Sequence, residues 1–254
     1  MFLTENPDAW NIIISAILLL VSYFLGAIPF GVVIGRAITG VDIRQHGSKN
    51  IGSTNAIRVL GKKVGALVFL CDVLKGAFVI IILKILAQTN VWHSILDYGY
   101  FGMMAVIGHS FSVFLGFKGG KAVATSLGVV LCICPLAGIL CLIAFATVLF
   151  TTGYVSLAST FATVTVLLTY LVLFFIGYQA TNFFDYFISA PSLESLITIL
   201  IPGVIILYKH IPNYKRLAAG TENCFKKKKE ENPTEATVEV STAEANENND
   251  ATDK

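Results

Sequence analysis

The sequence predicts an all-α, polytopic membrane protein of about seven transmembrane helices, with its N-terminus outside and its C-terminus cytoplasmic. Three observations carry that reading. Of the 254 residues, 55% are hydrophobic and only 13% are charged, whereas a soluble domain carries roughly a quarter charged residues. Apolar runs long enough to cross a bilayer, about 20 residues each, recur along the chain. Lys and Arg are concentrated in a few segments, which fixes how the runs must be threaded.

The first run, 10–34, has no basic residue ahead of it, so it reads as a retained span and not a signal peptide. The second, 64–86, holds Asp72 and Lys75 at i,i+3, where intramembrane charges pair with each other and orient the helix. Lys84, near its far end, is expected to snorkel. Runs follow at 98–117, 122–150, 154–177 and 193–208. The run 122–150 is too long for one plain span and short for two, with Pro135 and Gly138 interrupting its middle.

Charge decides how to divide it. Fifteen of the eighteen Lys and Arg residues fall in 36–63, 118–121 and 209–229, and none falls in 87–97 or 178–192. One span over 122–150 would put the Lys-rich C-terminus outside; two short spans, near 13 residues each, put every basic segment inside. Short, interrupted helices can mark a binding site or simply a kinked packing pair. Residues 1–225 are thus expected to form the membrane domain. The tail 226–254 opens on Lys226 to Lys229 and continues polar without periodicity, which predicts disorder. Its lysines suit a topology anchor or a contact with anionic headgroups.

Cys71, Cys132, Cys134 and Cys141 lie in apolar runs and Cys224 near the basic tail. Without a neighbouring His or carboxylate to complete a zinc set, they read as packing residues, and no metal or cofactor is expected. Composition points to membrane lipid as a partner and to no nucleic acid.

Three segments can carry chemistry. Gly47-Ser48-Lys49-Asn50-Ile51-Gly52-Ser53-Thr54-Asn55 is a glycine-rich loop whose N–H groups can converge on an anion. Ser48, Asn50, Thr54 and Asn55 add neutral donors, and Arg58 can fork onto a phosphate. The loop lacks the Gly-Lys-Ser/Thr ending of a Walker A sequence, and a plain polar turn is the alternative. Next, Gly119-Gly120-Lys121 opens an apolar helix, so a full charge would join the partial positive charge of a helix N-terminus. A basic anchor beside a flexible turn is the alternative there. Finally, His210 and Asn213 share a face if their turn is helical, followed by Lys215, Arg216, Gly220 and Glu222. The His-x4-Asp pair of many glycerolipid acyltransferases is absent, since the residues five after His46, His93, His109 and His210 are Ile51, Tyr98, Phe114 and Lys215.

Taken together, these segments resemble the bacterial acyl-phosphate:glycerol-3-phosphate acyltransferases of the PlsY type. Gly47 to Asn55 with Arg58 resembles the first motif of that family, and Gly108-His109 through Phe117 to Thr125 the second. His210, Asn213, Arg216, Leu217, Gly220 and Glu222 resemble the third, and Asp72 to Gly76 and Tyr154 to Ser159 look like family segments. The resemblance implies a seven-helix enzyme of the bacterial plasma membrane with its active site facing the cytoplasm. It implies transfer of an acyl group from acyl phosphate to the sn-1 hydroxyl of glycerol 3-phosphate, giving lysophosphatidic acid for phospholipid synthesis, with acyl phosphate supplied by another enzyme.

By position, Gly47, Ser48, Asn50, Gly52, Thr54 and Asn55 would hold the donor headgroup. Arg58, Lys121, Ser159, His210 and Asn213 would surround the acceptor, beside Gly119 and Gly120. Of these, Arg58, Lys121 and Asn213 are the expected catalytic residues, and Glu222 is expected to partner a basic residue. Gly153, where relatives often carry Arg, and Ile211-Pro212, in place of a polar pair, depart from the pattern. A transporter of small phosphorylated solutes would also need basic groups and broken helices, although here the motifs all fall on one face.

Overall fold

The computed structural model describes residues 7–176 and 192–225. Among these the regular elements are all helical: α1 Pro7–Ala27, α2 Phe30–Thr39, α3 Ser53–Leu60, α4 Lys62–Gln88, α5 Tyr98–Ser110, α6 Val123–Ile133, α7 Pro135–Thr152, α8 Val155–Phe175 and α9 Leu193–Ala218. Six spans are long and apolar enough to cross a membrane: α1, α4, α5 continued to Leu115, α7, α8 and α9. The polar tail 226–254 and most of the basic-free loop 178–192 lie outside the described residues.

Prolines set the element boundaries more sharply than hydropathy does. The run expected to be one span over 10–34 divides at Pro29, leaving α2 as a separate short helix. Proline has no N–H to continue the ladder and disfavours helical geometry in the residue before it. The run 122–150 divides in the same way, with Cys134 out of helical geometry at φ −141° and ψ 83° ahead of Pro135. Residues seven apart in a straight helix are separated by about 10 Å. A Cβ on Gly138 would instead meet the Leu131 side chain at 2.6 Å, so the chain turns sharply here. The two halves have 11 and 18 residues, and not two equal short helices.

Helix breaks free backbone carbonyls, which are costly in a medium without water. Lysines meet them here. Lys75 Nζ donates to the Ile28 carbonyl at the α1–α2 break, at 2.8 Å, while also pairing with Asp72 at 2.7 Å as its spacing predicts. Lys84 Nζ donates to the Cys132 carbonyl at the end of α6, at 2.6 Å. Lys84 therefore turns inward and does not snorkel. Lys209 of α9 donates to the Ser110 carbonyl at the end of α5, at 2.9 Å.

Small residues let the helices touch backbone to backbone, as membrane packing favours. A Cβ on Gly26 would lie 2.1 Å from the Ala105 carbonyl oxygen, and one on Gly108 equally close to that of Tyr23, which locks α1 to α5. α6 packs against α4 where Gly76 meets Thr125 and Gly128 meets Val73. It therefore starts roughly halfway along α4, which is why 11 residues carry it to the level of Lys84. Tyr170, Phe101, Ile80, Val106, Val129 and Ile133 fill the interior, while Ile12, Ile13, Ile17, Leu20 and Phe24 of α1 face outward. An apolar exterior is the expected surface of a helix bathed in lipid. The described residues up to Asn223 form one compact unit.

Candidate active site

The chain enters the first glycine-rich loop through an ion-paired turn. Asp42 accepts from Arg44 at 2.6 Å and from Arg36 at 2.7 Å. The Arg44 guanidinium holds its carboxyl well below the usual carboxylate range, against the opposing effect of burial. Sequence reasoning counted both arginines only as topology signals.

Asn55 then organises the loop from beneath. Its Nδ2 donates to the carbonyls of Ile43, His46 and Asn50, and its Oδ1 accepts from the Ser48 N–H at 2.9 Å. The side chain is 1% exposed and spends its bonds inside the loop. Gly47 takes φ +58°, and a Cβ there would stand 2.4 Å from Asn55 Oδ1. Asn50 Oδ1 accepts from the Gly52 N–H at 3.0 Å, and Gly52 caps α3 with extended backbone. The Ser53 and Thr54 N–H groups, at the start of α3, meet no acceptor among the described residues. Ser48 is exposed and Thr54 half-buried at this end. Arg58, one turn on, is exposed, with its Cδ 3.5 Å from the Gly47 Cβ position and its guanidinium unpaired among the described residues.

The second loop lies against the first. The Gly120 N–H donates to the His109 carbonyl at 3.0 Å. A Cβ on Gly119 would fall 2.0 Å from that same carbonyl oxygen; one on Gly120 would fall 2.3 Å from His109 Nε2 and 3.2 Å from Ile51 Cγ1. Close approach therefore requires both glycines, and the Ile51 contact joins the two loops. Lys121 follows, and the N–H groups of Val123 and Ala124 at the start of α6 are again unaccepted among the described residues.

The third segment is helical throughout: α9 runs on to Ala218, so His210 and Asn213 do share a face. Lys121 Nζ donates to Asn213 Oδ1 at 2.5 Å, Asn213 Nδ2 donates to Glu222 Oε1 at 2.6 Å, and Arg216 Nε donates to Glu222 Oε2 at 2.8 Å. Gly220, at φ +68°, makes the turn that brings Glu222 back. Burial pushes the Glu222 carboxyl up, but hydrogen bonds led by that of Asn213 outweigh it and leave it below its ordinary value. Burial lowers the Lys121 ammonium to about 8, with Glu222 drawing it back upward.

His210 is 2% exposed, and its Nδ1 lies 2.8 Å from the Ile206 carbonyl. A carbonyl only accepts, so Nδ1 carries the proton and Nε2 is left for another partner. Its ring stacks on Tyr214, whose hydroxyl meets Thr160 at 2.8 Å. Ser159 is buried in α8 and bonds back to the Val155 carbonyl. Of the departures from the resembled pattern, Gly153 ends α7 at φ +79°, and Pro212 sits inside α9 immediately before Asn213.

Lys121, Asn213, Arg216 and Glu222 thus form one bonded chain, and the two glycine loops are neighbours through Ile51. Sequence reasoning missed Asp72 facing His109 Nδ1 at 3.7 Å, because the two are remote in the chain and no local spacing records the contact.

Two glycine turns edged by unaccepted backbone N–H groups and a recessed lysine, set in an apolar helical bundle, define a membrane protein with a cationic, donor-rich site. Comparison with known proteins places it further. The family model described as glycerol-3-phosphate acyltransferase matches residues 16–220. A glycerol-3-phosphate acyltransferase of Acholeplasma laidlawii is 41% identical over 86% of this chain and 96% of its own length. One of Fusobacterium nucleatum is 42% identical over 82% and 96%. Crystal structures of PlsY (YgiH), an integral membrane glycerol 3-phosphate acyltransferase, are similar at 36% identity over 83% of this chain and 95% of that one. The TM-score is 0.69 for the glycerol 3-phosphate form and 0.67 for the lysophosphatidic acid form. The chain belongs to the glycerol-3-phosphate acyltransferase family. That membership replaces the transport alternative.

Proposed function

We propose that this membrane glycerol-3-phosphate acyltransferase takes its acyl group from acyl phosphate. The sn-1 hydroxyl oxygen of glycerol 3-phosphate attacks the acyl carbonyl carbon, the bond from that carbon to the phosphate oxygen breaks, and lysophosphatidic acid and inorganic phosphate leave. The single observation that carries the reading is the Lys121–Asn213 bond, which aims a half-buried cation into a site bordered by unaccepted backbone N–H groups.

In this reading the acceptor phosphate displaces Asn213 from part of the Lys121 shell and draws a second charge from Arg58. Ser159 and His210 Nε2 complete the acceptor site. Gly47, Ser48, Asn50, Gly52 and Thr54 cradle the donor phosphate, Asn55 holds that cradle in shape, and Gly119 and Gly120 admit the phosphates close to the backbone. An acyl phosphate is already an activated mixed anhydride. The protein's work is therefore to hold two anions together and stabilise growing negative charge. The leaving phosphate oxygen accepts the hydroxyl proton, so no side chain need serve as base.

The chain spans the bacterial plasma membrane seven times, with α6 as the short seventh helix. The N-terminus lies outside, and the C-terminus and site face the cytoplasm. Residues 1–225 make up the catalytic domain and 226–254 an appended tail. The concentration of fifteen of the eighteen Lys and Arg residues in 36–63, 118–121 and 209–229 supports this threading. An acyl-phosphate-forming enzyme supplies the donor.

Purified protein given palmitoyl phosphate and labelled glycerol 3-phosphate tests the reading. Acylated product and free phosphate should appear together, and Lys121→Ala should abolish both. No product at saturating substrate, or product only from palmitoyl coenzyme A, would overturn it.

A further inference from the structure

A buried chain of ionisable groups runs beneath the Gly119–Gly120 turn, and the reaction as described uses none of them. Lys75 Nζ lies 2.7 Å from Asp72 Oδ1, which in turn lies 3.7 Å from His109 Nδ1. Asp72 is 1% and His109 4% exposed. Ionisable groups inside a membrane domain are expensive, and those that are kept have a task. The far edge of the His109 ring meets the turn, with Nε2 against Gly120, and the His109 carbonyl accepts the Gly120 N–H at 3.0 Å. One residue therefore grips the turn twice, by its ring and by its backbone, one position before Lys121.

We propose that Asp72 and His109 are a positioning pair that holds the Gly119–Gly120 turn in the shape that points Lys121 at the acceptor phosphate. At 3.7 Å the carboxylate acts through its field, turning the Nδ1–H edge of the ring toward itself and so presenting the Nε2 edge to Gly120. Lys75, anchored on the Ile28 carbonyl, fixes the carboxylate. Neither Asp72 nor His109 touches substrate. The inference rests on Lys121 as the phosphate-binding cation.

The test is steady-state kinetics of the full-length protein with both substrates varied, comparing His109→Asn, His109→Phe and Asp72→Asn. His109→Phe keeps a ring and loses both nitrogens. It should raise KM for glycerol 3-phosphate about tenfold or more while leaving KM for palmitoyl phosphate unchanged. His109→Asn keeps an N–H at the Nδ1 position toward Asp72 and should restore part of the loss. Asp72→Asn should show the same one-sided KM change, and adding it to His109→Phe should cost nothing further. Unchanged acceptor KM in His109→Phe, or equal changes in both KM values, overturns the proposal. ¹⁵N NMR of the unaltered protein should find the His109 proton on Nδ1, and a bare Nδ1 overturns the pairing whether or not any variant folds. Absence of product from the unaltered protein is a separate result that removes the functional reading before any variant is compared.

Discussion

Lys121 and Asn213 are joined by a hydrogen bond across 92 residues of sequence, and the charges around Asn213 fix which way its amide points. Its oxygen must face the ammonium and its nitrogen the Glu222 carboxylate. Asn213→Asp keeps the shape but sets a carboxylate against Glu222 and neutralises Lys121. Expected is a loss in kcat/KM of about a hundredfold, larger than for Asn213→Ala, which removes the bridge without adding charge. Measuring both variants at saturating palmitoyl phosphate checks this; equal losses would remove charge from the account.

The recessed position of Lys121 gives the enzyme a basic limit. Burial lowers its ammonium to about 8, so the charged form that the proposed mechanism sets against phosphate is half present at that pH, dominant well below it and lost above it. kcat/KM for glycerol 3-phosphate, which reports the free enzyme, should fall about tenfold for each unit above pH 8. On the acid side it should decline only where the substrate phosphate passes from dianion to monoanion, near about pH 6. Lys121→Arg should lack the alkaline limb whatever its absolute rate.

Two residues of the first motif should separate by readout. Arg58 is exposed and its guanidinium is unpaired among the described residues, so Arg58→Ala should leave the thermal midpoint unchanged while lowering activity about a hundredfold. Asn55→Ala strips the Ile43, His46 and Asn50 carbonyls and the Ser48 N–H of their common partner. It should cost roughly 2–4 kcal/mol of stability and lower activity through the loop it holds. Thermal unfolding followed beside turnover distinguishes the two.

Much of this architecture could be read before any coordinates. Composition and the placement of Lys and Arg yield a helical membrane bundle and bring the Gly47, Lys121 and Asn213 segments to one face. The helical spacing of His210 and Asn213, and the Asp72–Lys75 pair, follow from i,i+3 arithmetic. Hydropathy could not show that Pro29 ends α1, since an apolar run reads the same with or without a break. It could not show that α6 starts halfway along α4, because depth is a property of packing. The Asp72–His109 contact and the inward turn of Lys84 depend on which helices become neighbours, and one-dimensional spacing does not encode that.

Orientation can be read from a natural reporter. Cys224 is exposed just beyond the third motif, whereas Cys71 and Cys132 are half-buried and Cys134 and Cys141 buried. On the proposed topology, a membrane-impermeant maleimide should label Cys224 only after cells are permeabilised, and Cys224→Ser should remove the signal. Labelling of intact cells would place the site on the opposite face.

Lys84 offers a choice between two roles with different costs. A snorkelling lysine keeps its ammonium at the interface and bonds nothing specific, so Lys84→Met would be neutral or stabilising. In the structure Lys84 Nζ instead meets the Cys132 carbonyl, one of those that Pro135 leaves without a helical donor at the end of α6. Removing the ammonium orphans that carbonyl at a cost of about 1–3 kcal/mol. The variant's thermal midpoint should therefore fall by several degrees at a fixed heating rate. Both KM values should stay near those of the unaltered enzyme, because the Gly119–Lys121 turn lies at the opposite end of α6 and is held there by His109. An unchanged midpoint would return Lys84 to the interface. A raised acceptor KM would mean that the C-terminal end of α6 also governs the placement of Lys121.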